Sequence, residues 1–195
     1  MKAYYHARAR EYDDWWLGRN LYADKERPGW EDARTELEGW IADLPPARTL
    51  DVACGTGFMT RHLHGEITGF DQSEAMLEVA AEQVPGATFV QGDALDLPFE
   101  DGTFDRLFTS YFYCHLEEDD RLRFLAEARR VAPELMIVGS RLQSDEEPER
   151  WDERVLNDGT RWRVFKRVFH PDVLARELDG RVLHQSHYFV MVCSP

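Results

Sequence analysis

The sequence predicts an α/β fold, a doubly wound and mostly parallel sheet of the seven-stranded type in a three-layer α/β/α arrangement. Two observations predict it. Short apolar runs end in small or polar residues, and segments of helical periodicity lie between them. Strands that alternate with helices form parallel sheets covered on both faces. The predicted strands are 49–53, 67–70, 89–91, 107–113 and 135–139, with helices at 73–83 and 119–131 between them.

The first strand leads into a glycine turn, Cys54-Gly55-Thr56-Gly57, and the pattern of 58–64 predicts the first turns of a helix. Glycine tolerates unusual dihedral angles and lets a ligand approach the backbone closely. A strand, a glycine turn and a helix in this order present backbone N–H groups and a positive helix end to a ligand. We therefore expect a ligand site at this turn.

Acidic residues follow the next two strands. Asp71 ends the second strand, and Gly92-Asp93-Ala94 follows the third. An acid at the tip of the second strand is the usual partner of two ribose hydroxyls. The structural alternatives are a helix cap at Asp71 or Ser73 and a turn at Gly92-Asp93.

These segments together resemble the class I S-adenosylmethionine-dependent methyltransferases. The stretch 50–57 is similar to their glycine-rich signature, 71–77 to the second signature and 92–99 to the third, while 104–110 is similar to the fourth. The resemblance covers about 49–140 and implies a Rossmann-like methyltransferase fold that binds S-adenosylmethionine and releases S-adenosylhomocysteine. A nicotinamide-binding fingerprint has a third glycine where this chain has Thr60.

The resemblance also implies which residues bind the cofactor. Asp51 is expected near the methionine ammonium, Asp71 at the ribose and Asp93 at the adenine amino group. Ala53 stands where the family usually has glycine. The full set of expected cofactor-binding residues is Tyr5, Tyr12, Asp51, Ala53, Cys54, Gly55, Thr56, Gly57, Asp71, Gln72, Met76, Gly92, Asp93, Ala94, Leu95 and Ser110.

Aromatic residues crowd the first 22 positions. Tyr5, Tyr12 and Trp16 lie seven and four residues apart and share one face of a predicted helix. The pattern alone indicates a helix packed over the sheet. The family resemblance, through Tyr12-Asp13, implies a lid that closes over the cofactor.

The segment after the fourth strand is predicted to face the methyl acceptor, with Tyr111 as a substrate contact. It lacks the Asn/Asp-Pro-Pro-Tyr/Phe signature of amino-methyltransferases. His115 is the residue there that could act as a general base near neutral pH, with a structural role as the alternative. The sequence leaves oxygen, nitrogen and carbon open as the acceptor atom.

Four basic residues fall within nine positions at 161–169, which is unusual in so acidic a chain. A strand would place Arg161, Arg163 and Arg167 on one side. They either form a solvated edge that balances the acidic segment 143–153, or line an acceptor pocket for an anionic or aromatic substrate. The acidic segment itself is predicted as a loop or the base of a lid.

Length and composition indicate how many domains the chain forms. At 195 residues and 43% hydrophobic content, one globular domain is expected. It comprises N-terminal helices and a lid (1–44), a cofactor-binding core (49–140), an acceptor-side insertion (141–170), and a terminal helix and strands (171–195).

Charge and cysteine content limit the partners. The net charge of −14 makes nucleic acid a poor partner. No apolar run is long enough to span a bilayer, so no membrane partner is expected. Three widely spaced cysteines fit neither a disulfide framework nor a zinc site, which predicts a reduced cytoplasmic protein without a metal.

The sequence therefore predicts an enzyme that transfers a methyl group from S-adenosylmethionine to a small-molecule acceptor. The alternatives are a non-catalytic cofactor-binding or regulatory module and, with less support, a nicotinamide-dependent oxidoreductase. The sequence leaves the oligomeric state open.

Overall fold

The computed structural model describes residues 2–144 and 146–195. Residues 1 and 145, within the predicted segments 1–44 and 141–170, lie outside the described residues. A seven-stranded sheet runs in the order β3-β2-β1-β4-β5-β9-β8. Its strands are β1 (Ala47–Val52), β2 (Gly65–Asp71), β3 (Thr88–Gln91), β4 (Arg106–Ser110), β5 (Glu134–Ser140), β8 (Arg181–Gln185) and β9 (Phe189–Ser194).

Strands β1 to β5 pair in parallel, while β9 is antiparallel to both β5 and β8. The predicted mostly parallel seven-stranded sheet is therefore confirmed. The fourth strand is shorter than predicted and stops at Ser110, because Tyr111 has a φ of +60°, outside the extended region. Since parallel strands end at one edge, the polar ends of β1, β2, β3 and β4 lie together there.

Helices flank the sheet, and the structure describes α1 (Lys2–Arg8), α2 (Asp14–Leu17), α3 (Trp30–Ala42), α4 (Glu74–Gln83), α5 (Glu118–Val131) and α6 (Pro171–Glu177). The Ser73 side chain caps α4 by accepting a hydrogen bond from the Met76 N–H, as its sequence position indicates. Trp30, Ala33, Leu37 and Ile41 lie three or four residues apart and form the buried face of α3. Within the described ranges, no helix is long and apolar enough to cross a membrane.

The predicted helix at 58–64 is wrong. Only a short 3-10 turn, Thr60–His62, follows the glycine turn. Residues 53–64 must cross from β1 to β2, and a parallel crossover already needs about a dozen residues. Leu63 is already extended, with φ −77° and ψ 148°, so the helical turn ends after His62 and the chain enters β2. Phe58, Met59 and Leu63 are nevertheless buried in the core.

The acidic segment predicted as a loop contains a strand. Strand β6 (Glu149–Val155) pairs antiparallel with β7 (Arg161–Arg167) in a separate two-stranded sheet. The register sets Glu149 opposite Arg167 and Glu153 opposite Arg163. Opposite charges across an antiparallel pair stabilise it, so the acidic stretch is a strand because of its basic partner.

The N-terminal segment does not form one continuous helix. After α1 it passes through a 3-10 turn (Ala9–Glu11) into the four-residue α2, so Tyr5, Tyr12 and Trp16 are not on one helical face. Trp16 is 2% exposed and stacks on Phe58 at 5.1 Å between ring centroids. This contact fastens the segment to the hydrophobic core despite the break.

Candidate functional site

A cavity of about 320 Å³ opens at the edge where β1, β2, β3 and β4 end. It brings together twelve of the expected cofactor-binding residues and both Tyr111 and His115. Those twelve are Tyr5, Tyr12, Ala53, Gly55, Asp71, Gln72, Met76, Gly92, Asp93, Ala94, Leu95 and Ser110. The second strand, the third-strand turn and the N-terminal segment thus converge on one space.

The glycine turn has left-handed backbone at three positions: Ala53 (φ +56°), Gly55 (φ +56°) and Gly57 (φ +79°). A Cβ on Gly55 would face the Tyr12 ring at 3.8 Å, inside the cavity. A Cβ on Gly57 would instead meet Val84 at 3.0 Å, next to α4. Gly55 therefore faces the cavity, whereas Gly57 is needed for packing and does not line it.

Asp71 joins the glycine turn to the start of α4. One carboxylate oxygen accepts the Gly55 N–H at 3.0 Å, and the other accepts the Ser73 N–H at 2.8 Å. Burial raises its pKa, and these backbone hydrogen bonds oppose that rise. A carboxylate has about four acceptor positions, so Asp71, which lines the cavity, keeps capacity for further donors.

Asp51 does not line the cavity. It is 2% exposed, and its carboxylate accepts a hydrogen bond from the Thr60 hydroxyl at 2.6 Å. Burial raises the pKa of Asp51 to about 7. In the sequence, Thr60 stands where a nicotinamide-binding fingerprint has its third glycine. In the structure, Thr60 is the hydrogen-bond partner of the buried Asp51 carboxyl group.

The far side of the cavity is the turn after β3. The exposed Asp93 carboxylate accepts the Leu95 N–H at 2.9 Å, and Ala94 and Leu95 add apolar surface. Gly92 cannot carry a side chain, because a Cβ would lie 2.4 Å from the Phe70 ring. Ser110, at the end of β4, has a buried hydroxyl oxygen without a partner among the described residues.

Two more expected cofactor residues lie beside the cavity and do not line it. Burial raises the pKa of the Cys54 thiol well above its usual range, so it is a neutral group. The Thr56 hydroxyl donates to Asp13 at 2.5 Å, and the same carboxylate accepts from Gln83 at 2.7 Å. Asp13 thus ties the N-terminal segment to the glycine turn and to α4.

His115 is held by a hydrogen bond between its Nδ1 and the Phe165 carbonyl oxygen, at 2.6 Å. A carbonyl oxygen can only accept, so Nδ1 carries the proton and Nε2 carries the lone pair. Burial, followed by the charge of Lys166, lowers the pKa of His115 to about 3. In this setting His115 is a neutral acceptor and not a group that titrates near neutral pH.

The arginines of β7 do not line the cavity, so the interpretation of them as a pocket wall is wrong. Arg161 pairs with Glu153, Arg163 lies over the Trp151 ring at 5.5 Å, and Arg167 pairs with Glu177 at 2.9 Å. Glu153 on β6 pairs with the exposed Arg161, and Glu149 on β6 and Glu177 on α6 pair with the half-buried Arg167.

Several lining residues were missed in the sequence. They are Phe70, Phe112, Leu116, Glu117, Asp120 and Trp151, whereas Phe165 of the basic stretch 161–169, an aromatic candidate for the wall of the acceptor pocket, does line the cavity. Trp151 is 52% exposed and packs against Phe165 at 5.8 Å. A tryptophan in an otherwise acidic and polar stretch was the available signal for this wall.

Comparisons with known proteins agree with this geometry. A family model described as "Methyltransferase domain" matches residues 50–134. The demethylmenaquinone methyltransferase of Thermotoga maritima is 39% identical over 107 residues, which cover 52% of this chain and 44% of that protein. The chain thus spans less than half the length of this curated relative.

Solved structures match over nearly the whole chain. One described as the DhpI-SAM-HEP complex has a TM-score of 0.79 at 26% identity, covering 99% of this chain and 95% of that one. The DhpI-SAH complex has a TM-score of 0.72 at 28% identity, covering 99% and 94%. The sheet order agrees with these solved structures, and residues 50–134 resemble a methyltransferase domain.

Proposed function

We propose that the chain transfers a methyl group from S-adenosylmethionine to a small-molecule acceptor. The observation that carries the proposal is the meeting of Gly55, Asp71 and Asp93 in one cavity, at the edge where parallel strands end. Bound there, S-adenosylmethionine supplies a methyl group already activated by its sulfonium charge. The protein then mainly aligns the acceptor, and proximity and orientation contribute much of the rate enhancement.

The residues present fit the cofactor. Asp71 has acceptor capacity for two ribose hydroxyls, and Asp93, flanked by Gln72 and Leu95, suits the adenine ring and its amino group. The unpartnered Ser110 hydroxyl is a polar group that a ligand in the cavity can satisfy. Gly55 leaves the backbone open to close approach by the methionine portion.

The acceptor side is aromatic and apolar. Tyr111, Phe112, Trp151 and Phe165 form its walls, and His115 adds a neutral nitrogen acceptor. Because this imidazole has a low pKa, we propose that it orients a hydroxyl or N–H of the acceptor and is a weak base. The named relatives also point to small molecules: one acts on demethylmenaquinone, and DhpI was solved with HEP.

Calorimetry with S-adenosylhomocysteine and NADH tests the binding half of the proposal. Wild type should bind S-adenosylhomocysteine and not NADH. Asp71→Ala should weaken binding by about tenfold or more, since charge-assisted hydrogen bonds contribute roughly 1.5–3 kcal/mol. Asp96→Ala is the control, because Asp96 is exposed and does not line the cavity. Equal affinity of folded Asp71→Ala would contradict the ribose assignment.

Incubation of the protein and S-adenosylmethionine with a cell extract tests turnover. Catalysis is supported by a product that carries one additional methyl group. This product should be absent when Gly55→Val replaces wild type. Cofactor binding without such a product in any extract favours the non-catalytic alternative.

Two further proposals concern the cellular location of the protein and the exclusion of nucleic acid as its substrate. We propose a cytoplasmic location, supported by three cysteines that are all free thiols. We also propose that nucleic acid is not the substrate, because the net charge of −14 repels phosphate backbones.

A further inference from the structure

A second, smaller cavity adjoins the main cavity on its acceptor side, and we call the residues between the two cavities the acceptor wall. The smaller cavity measures about 50 Å³ and shares Tyr5, Tyr12, Tyr111 and His115 with the main cavity. Its other lining residues come from the N-terminal segment and the β6–β7 hairpin: Tyr4, Arg8, Trp15, Tyr22, Arg154, Val164 and Lys166. The lining contains three cationic side chains and no aspartate or glutamate.

Arg8 is 9% exposed, although a guanidinium remains charged at any pH of interest. It donates to the Tyr4 hydroxyl at 2.8 Å and the Tyr22 hydroxyl at 3.3 Å. Its central carbon lies 4.8 Å from the centre of the Tyr12 ring. Within the described part of the chain, no carboxylate lies within 4.0 Å of it.

Lys166 is 7% exposed and reaches the same cavity from β7. Its ammonium donates to the Ser140 hydroxyl at 2.7 Å and lies 4.9 Å from the centre of the Tyr111 ring. It forms no ion pair with a carboxylate of residues 2–144 or 146–195. Arg154, the third cation, already pairs with Asp152 at 2.8 Å.

A buried guanidinium without a carboxylate is costly to maintain, because charges removed from water need a partner of opposite sign. Burial lowers the pKa of the Lys166 ammonium for the same reason. Tyrosine hydroxyls and ring faces compensate only in part. In a chain of net charge −14, carboxylates are abundant, yet this cavity contains none. An anion entering it would supply the missing charge.

We infer that this cavity binds an anionic group of the methyl acceptor, a carboxylate or a phosphoryl group, through Arg8 and Lys166. The inference rests on the proposed methyl transfer and specifies its substrate class. One water occupies roughly 10–15 Å³ on this scale, so 50 Å³ holds a group of about three to five heavy atoms. The shared wall, Tyr111 and His115, then orients the rest of the acceptor toward the main cavity.

The sequence hypothesis named an anionic or aromatic substrate for this basic strand, through Arg161, Arg163 and Arg167, and did not name Lys166. On β7, Lys166 is buried, whereas Arg161 and Arg163 are exposed. Successive side chains of a strand point to opposite faces, so the buried face of this basic strand carries a lysine.

The test uses the full chain saturated with S-adenosylhomocysteine, titrated with inorganic phosphate and, separately, with acetate. Wild type should bind at least one anion, and the preferred one identifies the phosphoryl or carboxylate class. Lys166→Met and Arg8→Met should each weaken that binding by about tenfold or more. Arg161→Met, on the same strand and exposed, is the matched control and should bind as wild type.

A crystal of the wild-type S-adenosylhomocysteine complex grown with phosphate gives a second readout that does not depend on the variants folding. The anion should lie within hydrogen-bond distance of Arg8 and Lys166. An anion elsewhere, no anion binding by wild type, or unchanged binding in both Met variants overturns the inference.

Incubation with S-adenosylmethionine and a cell extract distinguishes failure of the anionic-acceptor inference from failure of the proposed methyl transfer. A methylated product that carries a carboxylate or phosphoryl group supports both. A neutral methylated product leaves methyl transfer intact and overturns the anionic acceptor, whereas failure to bind S-adenosylhomocysteine contradicts the proposed function itself.

Discussion

Asp51 is a carboxyl group in the middle of a parallel sheet, and its burial makes the stability of the chain depend on pH. Its pKa rises from about 3.9 in an unfolded chain to about 7 in the fold. Between these values the folded state holds a proton that the unfolded state has lost. The stabilising contribution is therefore complete below about pH 4 and is lost as the pH rises to about 7.

We predict that Asp51→Asn flattens this dependence. The amide cannot ionise but still offers an oxygen to the Thr60 hydroxyl. The free energy of unfolding, from urea titrations at pH 5 and pH 7.5, should fall less with pH in the variant than in wild type. Asp105→Asn is the control, because Arg48 holds the pKa of Asp105 at about 2, below this window. Equal slopes in wild type and Asp51→Asn would contradict the raised pKa.

Gly55 and Gly102 provide a comparison between ligand contact and backbone strain. Their φ values are +56° and +66°, and neither has an atom within 3.4 Å of an added Cβ. Alanine should strain both positions by about 1–2 kcal/mol. We predict that Gly55→Ala alone weakens S-adenosylhomocysteine binding, measured by calorimetry, because its methyl group enters the cavity. Equal loss of affinity in the two variants would mean that strain is the cause.

At the residue scale, the sequence predicted the residues whose place in the cavity depends on backbone position. Gly55, Asp71 and Asp93 lie at strand ends, so the strand pattern alone brings them to one edge. Lys166 and Thr60 were missed because their roles depend on which buried group they face. Such contacts join residues that are distant in the sequence, so the spacing of neighbouring residues does not predict them.

Among the elements, the N-terminal segment is attached to the core by aromatic packing and by Asp13. The carboxylate of Asp13 accepts from Thr56 in the glycine turn and from Gln83 at the end of α4. Tyr5 and Tyr12, which precede it, line the main cavity. Any loosening of this attachment therefore alters the cavity wall.

We predict that Asp13→Ala makes residues 2–22 exchange amide hydrogens faster and weakens S-adenosylhomocysteine binding, while strands β1 to β5 keep their protection. Asp14→Ala is the control, since Asp14 bonds Asn20 within the same segment at 2.7 Å. Hydrogen exchange followed by mass spectrometry measures both. If Asp14→Ala loosens the segment as much, the link through Asp13 is not what holds it.

The helices and strands also show which parts of the secondary structure the hydrophobic periodicity predicts and which it does not. The five parallel strands were predictable because buried strands are short apolar runs. The crossover after β1 has a helical pattern, but the chain becomes extended at Leu63, where it must enter β2. The sequence of β6 is typical of a solvated loop, and the strand forms because arginines of β7 lie opposite its acids. Both differences arise from the position of a neighbouring strand, which a local pattern omits.

On the scale of the whole molecule, charge is distributed unevenly. The chain has 37 acidic and 23 basic residues, yet the small cavity behind the acceptor wall is cationic. Exposed ion pairs such as Arg161–Glu153 contribute about 0–1 kcal/mol each and weaken as salt rises. Repulsion among the excess carboxylates opposes the compact state and also weakens with salt. The two effects predict opposite responses to ionic strength.

We predict that repulsion dominates, so added salt stabilises the protein at pH 8. Raising NaCl from 10 to 100 mM shortens the screening length from about 30 Å to about 10 Å. Carboxylates on opposite sides of the sheet then cease to interact, whereas ion pairs at contact distance lose less. The thermal midpoint, followed by circular dichroism, should rise by about 2–4 °C for each kcal/mol of repulsion removed. At pH 5, close to the sequence pI of about 4.9, the net charge is small and the same salt step should leave the midpoint unchanged or lower it. A midpoint that falls with salt at pH 8 would mean that the ion pairs, and not the excess negative charge, govern the electrostatics of the fold.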